Sequence, residues 1–174
     1  MAMPGGGTTD YSVEIFHAAL AHGQYTCFLA EHTMLPMIYM PDLLRATVGL
    51  IEADPACLTQ RTYNIGAISF TPEQLAASIS TRLPTFEISY EPDFRQAIAD
   101  TWPRQLDDSI ARRDWGWSHE FDLDAMTVDM LDRLGPVAKP EDSAEISSSV
   151  LEAAEQRKRM MTFLSEETSD KVQV

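Results

Sequence analysis

The stretch RTYNIGAISFTPEQLAASISTRL, Arg61–Leu83, predicts the architecture of this 174-residue chain. Thr62–Ile65 is rich in β-branched and aromatic residues, as strands are, and Gly66 ends it. Thr71–Gln74 has the pattern of a helix capping box with proline at the first helical position. The apolar residues that follow recur at helical spacing: Leu75, Ala76, Ile79 and Leu83. The stretch therefore predicts a strand followed by a helix that packs its apolar face on the strand's sheet, one unit of an α/β fold.

Upstream of this stretch, the sequence predicts two helices and two strands. The first helix begins at a cap formed by Thr9 or Asp10 and ends at Gly23. Tyr25–Leu29 and Met34–Met40 have the composition of strands. Asp42 is the predicted N-cap of the second helix. We expect its buried apolar set to be Leu43, Leu44, Ala46, Thr47, Leu50 and Ile51.

Downstream, the chain returns to a strand and then becomes helical. Phe86–Tyr90 alternates as FEISY between two prolines, which is typical of an edge strand. Predicted helices follow at Asp93–Asp100, after Asp107-Asp108-Ser109, and at Leu123–Leu134. We place a domain at 1–134. Residues 135–174 form the second part: a linker, an amphipathic helix opened by a capping box at Ser149 and Glu152, and a disordered end.

Composition narrows the class of protein. With 44% hydrophobic residues, the chain can build one globular core. A formal net charge of -14 argues against a nucleic-acid surface, because phosphate binding needs clustered Lys and Arg. No apolar run reaches the length of a membrane span, and Met1–Tyr11 has no targeting pattern. Cys27 and Cys57 have no metal or redox spacing, so we expect reduced, buried thiols.

The sequence contains no recognisable catalytic motif. The run Gly5–Gly7 follows no predicted strand, so it does not form a dinucleotide fingerprint. The four histidines, His17, His22, His32 and His119, have no metal-ligand spacing, and no metal site is predicted. No tyrosine is followed four residues later by lysine, so that acid-base pair is absent and no catalytic residue is assigned.

Two groups of residues allow alternative interpretations. Asp107 and Asp108 could act as an acid-base pair, but helix capping is the favoured role because adjacent side chains point apart. Trp102, Trp115 and Trp117, together with Tyr90 and Phe94, could line a pocket, although such aromatic residues more often pack loops onto a sheet.

Four segments together resemble a known family: Pro4–Phe16 (PGGGTTDYSVEIF), Tyr25–Thr47 (YTCFLAEHTMLPMIYMPDLLRAT), Arg61–Ala76 (RTYNIGAISFTPEQLA) and Ile88–Trp117 (ISYEPDFRQAIADTWPRQLDDSIARRDWGW). The segments occur in the order found in the C-terminal half of NAD-dependent L-threonine 3-dehydrogenases. These enzymes are extended short-chain dehydrogenase/reductases of the epimerase-like superfamily. The resemblance runs from about Pro4 to Leu134, and the residues after Gly135 do not share it.

The resemblance implies the C-terminal, substrate-binding part of a Rossmann-type enzyme that oxidises L-threonine to 2-amino-3-ketobutyrate with NAD. In the family, the N-terminal half carries the glycine fingerprint, the Tyr-x-x-x-Lys pair and the dimer helices, and the C-terminal half supplies the substrate lid. The GGGTTDY motif borders the family's substrate pocket, so the resemblance assigns substrate binding to Thr8, Thr9 and Asp10, with Trp102 as a further candidate. Capping is the alternative role for Thr9 and Asp10.

The resemblance also sets expectations for partners and location. The chain alone should be inactive and should not bind NAD, because the first half of the family pattern is absent from it. The alternative is a non-catalytic binding module, derived from that domain, that engages a full-length paralogue or another protein. For the full-length enzyme, the resemblance implies a homodimer. Family members are mitochondrial in eukaryotes and cytoplasmic in bacteria.

Overall fold

The structure, a computed structural model, describes residues 6–135. The linker, capping box and end predicted for residues 135–174 lie outside the described residues, except for Gly135 itself. In chain order, the elements are α1 Tyr11–His22, β1 Gln24–Cys27, β2 Leu35–Met37, α2 Met40–Glu52, β3 Ile68–Phe70, α3 Pro72–Arg82, β4 Glu87–Tyr90, α4 Phe94–Ala99, α5 Ser109–Trp115 and α6 Leu123–Leu134. The predicted mixture of helices and strands is therefore present. No helix within this range is both long and apolar enough to cross a membrane.

Within residues 6–135, the strands form two separate two-stranded sheets. Strand β1 pairs in parallel with β4, with Tyr25 opposite Ile88. Strand β2 pairs antiparallel with β3, with Pro36 opposite Ser69. The predicted strands at 25–29, 34–40 and 86–90 therefore exist in shorter form.

The main core lies where α1, α3 and α6 meet the β1–β4 sheet. Helix α1 ends as predicted, because Gly23 adopts φ 69° and its N–H donates to the Ala19 carbonyl. Burial of large apolar side chains stabilises this region through the removal of apolar surface from water. Its fully buried members include Tyr11, Ile15, Phe16, Leu29, Leu35, Phe70, Leu75 and Ile79.

The predicted capping box at α3 is confirmed. The Gln74 N–H donates to Thr71 Oγ1 at 3.2 Å, and the Thr71 N–H donates to Gln74 Oε1 at 3.0 Å. The apolar face of α3 is buried as expected. Its main neighbours, however, are α1 and α6, with a smaller contact to β4, so it does not pack chiefly on the sheet of the strand that precedes it.

The strand predicted at Thr62–Ile65 is wrong, since the strand before α3 begins at Ile68. Side-chain burial in the segment still alternates as in a strand, with Thr62 and Asn64 exposed and Tyr63 and Ile65 partly buried. No backbone-to-backbone hydrogen bond joins these four residues to any other residue between 6 and 135. The segment therefore has the side-chain pattern of a strand without a partner strand.

Asp42 is not the N-cap of α2, as was predicted. The N-cap is Tyr39, and Asp42 lies in the first turn of the helix with no solvent exposure. Its carboxylate accepts hydrogen bonds from the backbone N–H groups of Glu120 and Phe121, at 3.0 and 3.1 Å, and from the Arg45 guanidinium at 2.7 Å. It therefore fastens α2 to the loop before α6.

The apolar set predicted to be buried on α2 is mostly exposed. Leu43, Leu44 and Ile51 all contact solvent, and of the predicted set only Ala46 is fully buried. Besides Asp42, the buried side of α2 carries small residues, with Ala46 packed near Trp117 and Gly49 adjoining Trp115. The helix is therefore turned so that its larger apolar side chains face outward.

We expect Asp42→Ala to lower the free energy of unfolding by about 3 kcal/mol, because the two loop N–H groups and the guanidinium would lose their acceptor. Urea denaturation of the full chain measures this change. Asp132→Ala is the control, since Asp132 is an exposed helical residue, and its effect should stay within about 0.5 kcal/mol. Equal effects of the two substitutions would contradict the role assigned to Asp42.

Candidate functional site

A cavity of about 470 Å³ adjoins Trp102 and combines an indole wall with groups of both charges. It lies between the turn after β1, the end of β4 and the segment after α4. Trp102 is 42% exposed. The polar residues of its wall are Glu31, His32, Thr33, Tyr90, Asp100 and Arg104. Of the three tryptophans, Trp102 is the one that borders this cavity, whereas Trp117 is buried among packed side chains.

Gln96 on α4 holds two walls of the cavity together. Its Oε1 accepts hydrogen bonds from the Ala30 N–H at 2.7 Å and from the Thr33 hydroxyl at 3.1 Å. Its Nε2 donates to Asp100 Oδ1 at 2.6 Å. One amide side chain thus fixes the position of the turn relative to the carboxylate.

Opposite charges in the cavity suit a small zwitterion. Glu31 and Asp100 offer carboxylates that can bind an ammonium group, and Arg104 offers a guanidinium that can bind a carboxylate in bidentate fashion. The Trp102 ring adds an apolar wall. The arrangement can therefore accommodate a molecule with the charge pattern of a free amino acid.

Tyr90 is a hydrogen-bond donor in this cavity at neutral pH. Burial raises the pKa of Tyr90 to about 12, and the nearby negative charges of Glu31 and Glu73 act in the same direction. The phenol therefore remains protonated and does not serve as a base.

A cluster that sequence spacing did not reveal lies at the edge of the cavity. His32 Nδ1 is 3.1 Å from Glu73 Oε2, and His32 Nε2 is 3.7 Å from Glu31 Oε2. Potential ligand atoms of all three residues lie within 4.8 Å of one another, so the cluster could hold a divalent cation. Glu73 is on α3, distant in sequence, and only the fold brings it to His32.

Thr8, Thr9 and Asp10 lie in the turn that leads into α1. The Asp10 Oδ2 accepts a hydrogen bond from the Gly7 N–H at 2.8 Å, and the Asp10 N–H donates to the Gly7 carbonyl at 3.2 Å. Asp10 occupies the N-cap position, but its side chain makes no capping bond to the helix. These three residues do not line the Trp102 cavity, so the described structure does not bring the four predicted substrate-binding residues together.

Asp107 and Asp108 do not form an acid-base pair. Asp107 accepts a hydrogen bond from the Ser109 N–H, which holds its pKa below the usual range. Asp108 is buried and binds Arg112 Nε at 2.7 Å and Trp117 Nε1 at 2.9 Å. The two side chains therefore serve separate structural contacts.

Comparison with solved structures reveals a close similarity to L-threonine dehydrogenase from Phytophthora infestans. That similarity has 65% sequence identity and a TM-score of 0.76 over 76% of this chain. The chain is homologous to L-threonine 3-dehydrogenase. The apo form of the GalE-like L-threonine dehydrogenase from Cupriavidus necator is similar at 56% identity and a TM-score of 0.75, over 77% of this chain. Mitochondrial L-threonine 3-dehydrogenase of Bos taurus is 52% identical over 131 residues, or 75% of this chain. No family model matches the chain.

Homology to L-threonine 3-dehydrogenase covers only part of those proteins. The chain spans 35% of the Bos taurus protein, 43% of the Phytophthora infestans chain and 49% of the Cupriavidus necator chain. The family resemblance inferred from the sequence is thus confirmed over about three quarters of this chain. Its mixed α/β fold resembles part of the GalE-like threonine dehydrogenase structures.

Tyrosinate absorbance should test the environment of Tyr90. Because the folded-state pKa exceeds the unfolded value of about 10, the phenol's contribution to stability is present below pH 10 and is lost as the pH rises towards 12. The difference in tyrosinate absorbance between wild type and Tyr90→Phe should therefore stay near zero through pH 10 and develop close to pH 12. N-acetyltyrosinamide provides the reference titration of a fully exposed phenol. A difference that develops fully near pH 10 would contradict the assigned environment.

Proposed function

We propose that this chain is the C-terminal, substrate-binding portion of an L-threonine 3-dehydrogenase. The family reaction transfers a hydride from C3 of L-threonine to NAD and gives 2-amino-3-ketobutyrate. The observation that supports this most strongly is 65% identity to the Phytophthora infestans enzyme, confined to 43% of that enzyme. We assign the substrate-binding portion to residues 1–134 and treat 135–174 as an addition.

The chain's contribution, in this proposal, is to bind and orient L-threonine. Thr8, Thr9 and Asp10 have hydroxyl and carboxylate groups that can bond an amino acid's carboxylate and ammonium. Trp102 forms a wall of the cavity whose charged groups match a zwitterion. We infer that both groups of residues meet one substrate molecule when the rest of the dehydrogenase is present.

Two features of the described residues, 6–135, do not fit the cofactor NAD. The structure describes two residues of the glycine run, Gly6 and Gly7. The Gly7 N–H donates a hydrogen bond to the Asp10 carboxylate, so it is not available to a phosphate. A carboxylate at that position opposes a pyrophosphate rather than cradling it. Glu31 and Asp100 likewise place negative charge in the Trp102 cavity. We therefore expect NAD to bind to the part of a dehydrogenase that this chain does not match.

Catalysis by this chain alone is not expected. The family's Tyr-x-x-x-Lys pair, which moves the proton, has no counterpart in the sequence. L-threonine is the proposed small-molecule partner, and a homodimer or a paralogous subunit is the proposed protein partner.

A chimera tests the proposed function. Residues 6–135 would replace the matching segment of the Phytophthora infestans enzyme, and L-threonine-dependent NADH formation would be measured. We expect the chimera to be active. Trp102→Ala should lower kcat/KM at least about tenfold, because the indole wall of the substrate cavity is removed.

Phe94→Ala provides the matched control for that experiment. Phe94 is an aromatic residue on α4, 75% exposed, and does not line the cavity. This substitution should leave kcat/KM within about twofold of the chimera's value. A folded chimera without activity would refute the proposed function. Equal losses from both substitutions would refute the role of Trp102.

A further inference from the structure

Helix α2 has its small residues inside and its large apolar residues outside. The inner side carries Ala46 and Gly49, at helical spacing, which pack near the indole rings of Trp117 and Trp115. The outer side carries an apolar stripe, which we call the α2 stripe. Its members and their exposed fractions are Met40 56%, Leu44 59%, Val48 51% and Ile51 77%. These four residues follow the spacing of one helical face, so the exposed apolar surface is continuous.

The α2 stripe is not an ordinary surface feature. Isolated apolar side chains are common on protein surfaces, whereas a contiguous apolar face on one helix indicates a contact surface. A helix normally turns its larger apolar side chains towards its own core. In α2 the reverse holds, and Asp42 fixes that orientation through its bonds to the loop at residues 120–121.

A strand-like segment without a partner strand among residues 6–135 lies beside α2. The segment Thr62–Ile65 has alternating side-chain burial, yet no strand among residues 6–135 pairs with it. Tyr63 and Ile65 pack against the cluster that contains Ala46 of α2. An unpaired strand-like segment and an unpartnered helix face thus belong to the same part of the molecule. One partner that supplies both a strand and an apolar surface would satisfy both.

We propose that the α2 stripe and Thr62–Ile65 form the surface on which this chain receives the rest of a dehydrogenase chain. The length of the relatives identifies the partner that would cover this surface. Relatives with 52 to 65% identity over the matched segment have more than half of their chains outside it. In those relatives the matched segment contacts the rest of the chain, and at this level of identity we expect the same contact residues to be present here. The α2 stripe is the most extensive exposed apolar surface on a single helix among the described residues. The inference rests on the proposed function for the identity of the occupant.

Backbone amide exchange is the direct test. It would be measured on the full 174-residue chain alone and on the Phytophthora infestans chimera. We expect the amides of Thr62–Ile65 to exchange at least about tenfold more slowly in the chimera, because strand pairing protects them. If the chimera does not fold, the same comparison is made on the full chain with and without the complementary part of that enzyme. Unchanged exchange in the folded chimera, or in the mixture, would overturn the proposal.

Charged substitutions test the helix face. Leu44→Lys and Val48→Lys should each lower the Tm of the chimera by about 5 °C or more, because an ammonium would enter an apolar contact. In the full chain alone, both side chains are exposed and each substitution should change the Tm by less than about 2 °C. Phe94→Lys, at an exposed apolar position on α4, should change neither Tm by more than that. Equal effects of the α2 substitutions on both proteins would overturn the proposal.

The readouts separate this inference from the proposed function, because neither uses catalytic activity. An active chimera in which Thr62–Ile65 stays unprotected would refute the surface and leave the function intact. An inactive chimera with protected amides would refute the proposed function and leave the surface intact. If the full chain dimerises in sedimentation experiments and Leu44→Lys abolishes the dimer, a second copy is the occupant and the proposal is overturned.

Discussion

The structure depends on the close approach of α2 to the tryptophans of α5 and the loop after it. Small residues line that approach: a Cβ at Gly49 would lie in van der Waals contact with the Trp115 ring, at 3.5 Å, and Ala46 is almost fully buried. Asp42 fixes the other end of the contact through backbone N–H groups. The larger apolar side chains of α2 therefore lie on the opposite, exposed face, where they remain available to another surface.

Local signals in the sequence predicted local structure well. Three predictions used only residues close together in the sequence, and the structure confirms each of them. They are the capping box at Thr71, the glycine that ends α1 and the bounds of α6. Two long-range predictions failed for a shared reason. Thr62–Ile65 has strand composition and α2 has apolar residues at helical spacing, but a strand needs a partner and an apolar face needs a surface to cover it. Propensity alone specifies neither.

The candidate site shows the same division. Sequence similarity pointed to Trp102, and the structure places it on a cavity. The charged groups that give the cavity its chemical character come from the turn after β1 and the segment after α4, and Gln96 joins these two walls. No sequence spacing could have predicted their meeting. The turn at Thr8–Asp10 is not part of that cavity's lining, so the described residues do not unite the four positions that the sequence resemblance indicated.

In the proposed function, this chain contributes substrate contacts to a dehydrogenase and lacks the Tyr-x-x-x-Lys pair that completes the reaction. The most direct test is L-threonine-dependent NADH formation by the purified 174-residue chain, with the Phytophthora infestans enzyme assayed under the same conditions as a positive control. We expect no rate above the background that is measured without enzyme. A sustained rate that depends on both L-threonine and NAD, and that copurifies with the chain, would contradict it.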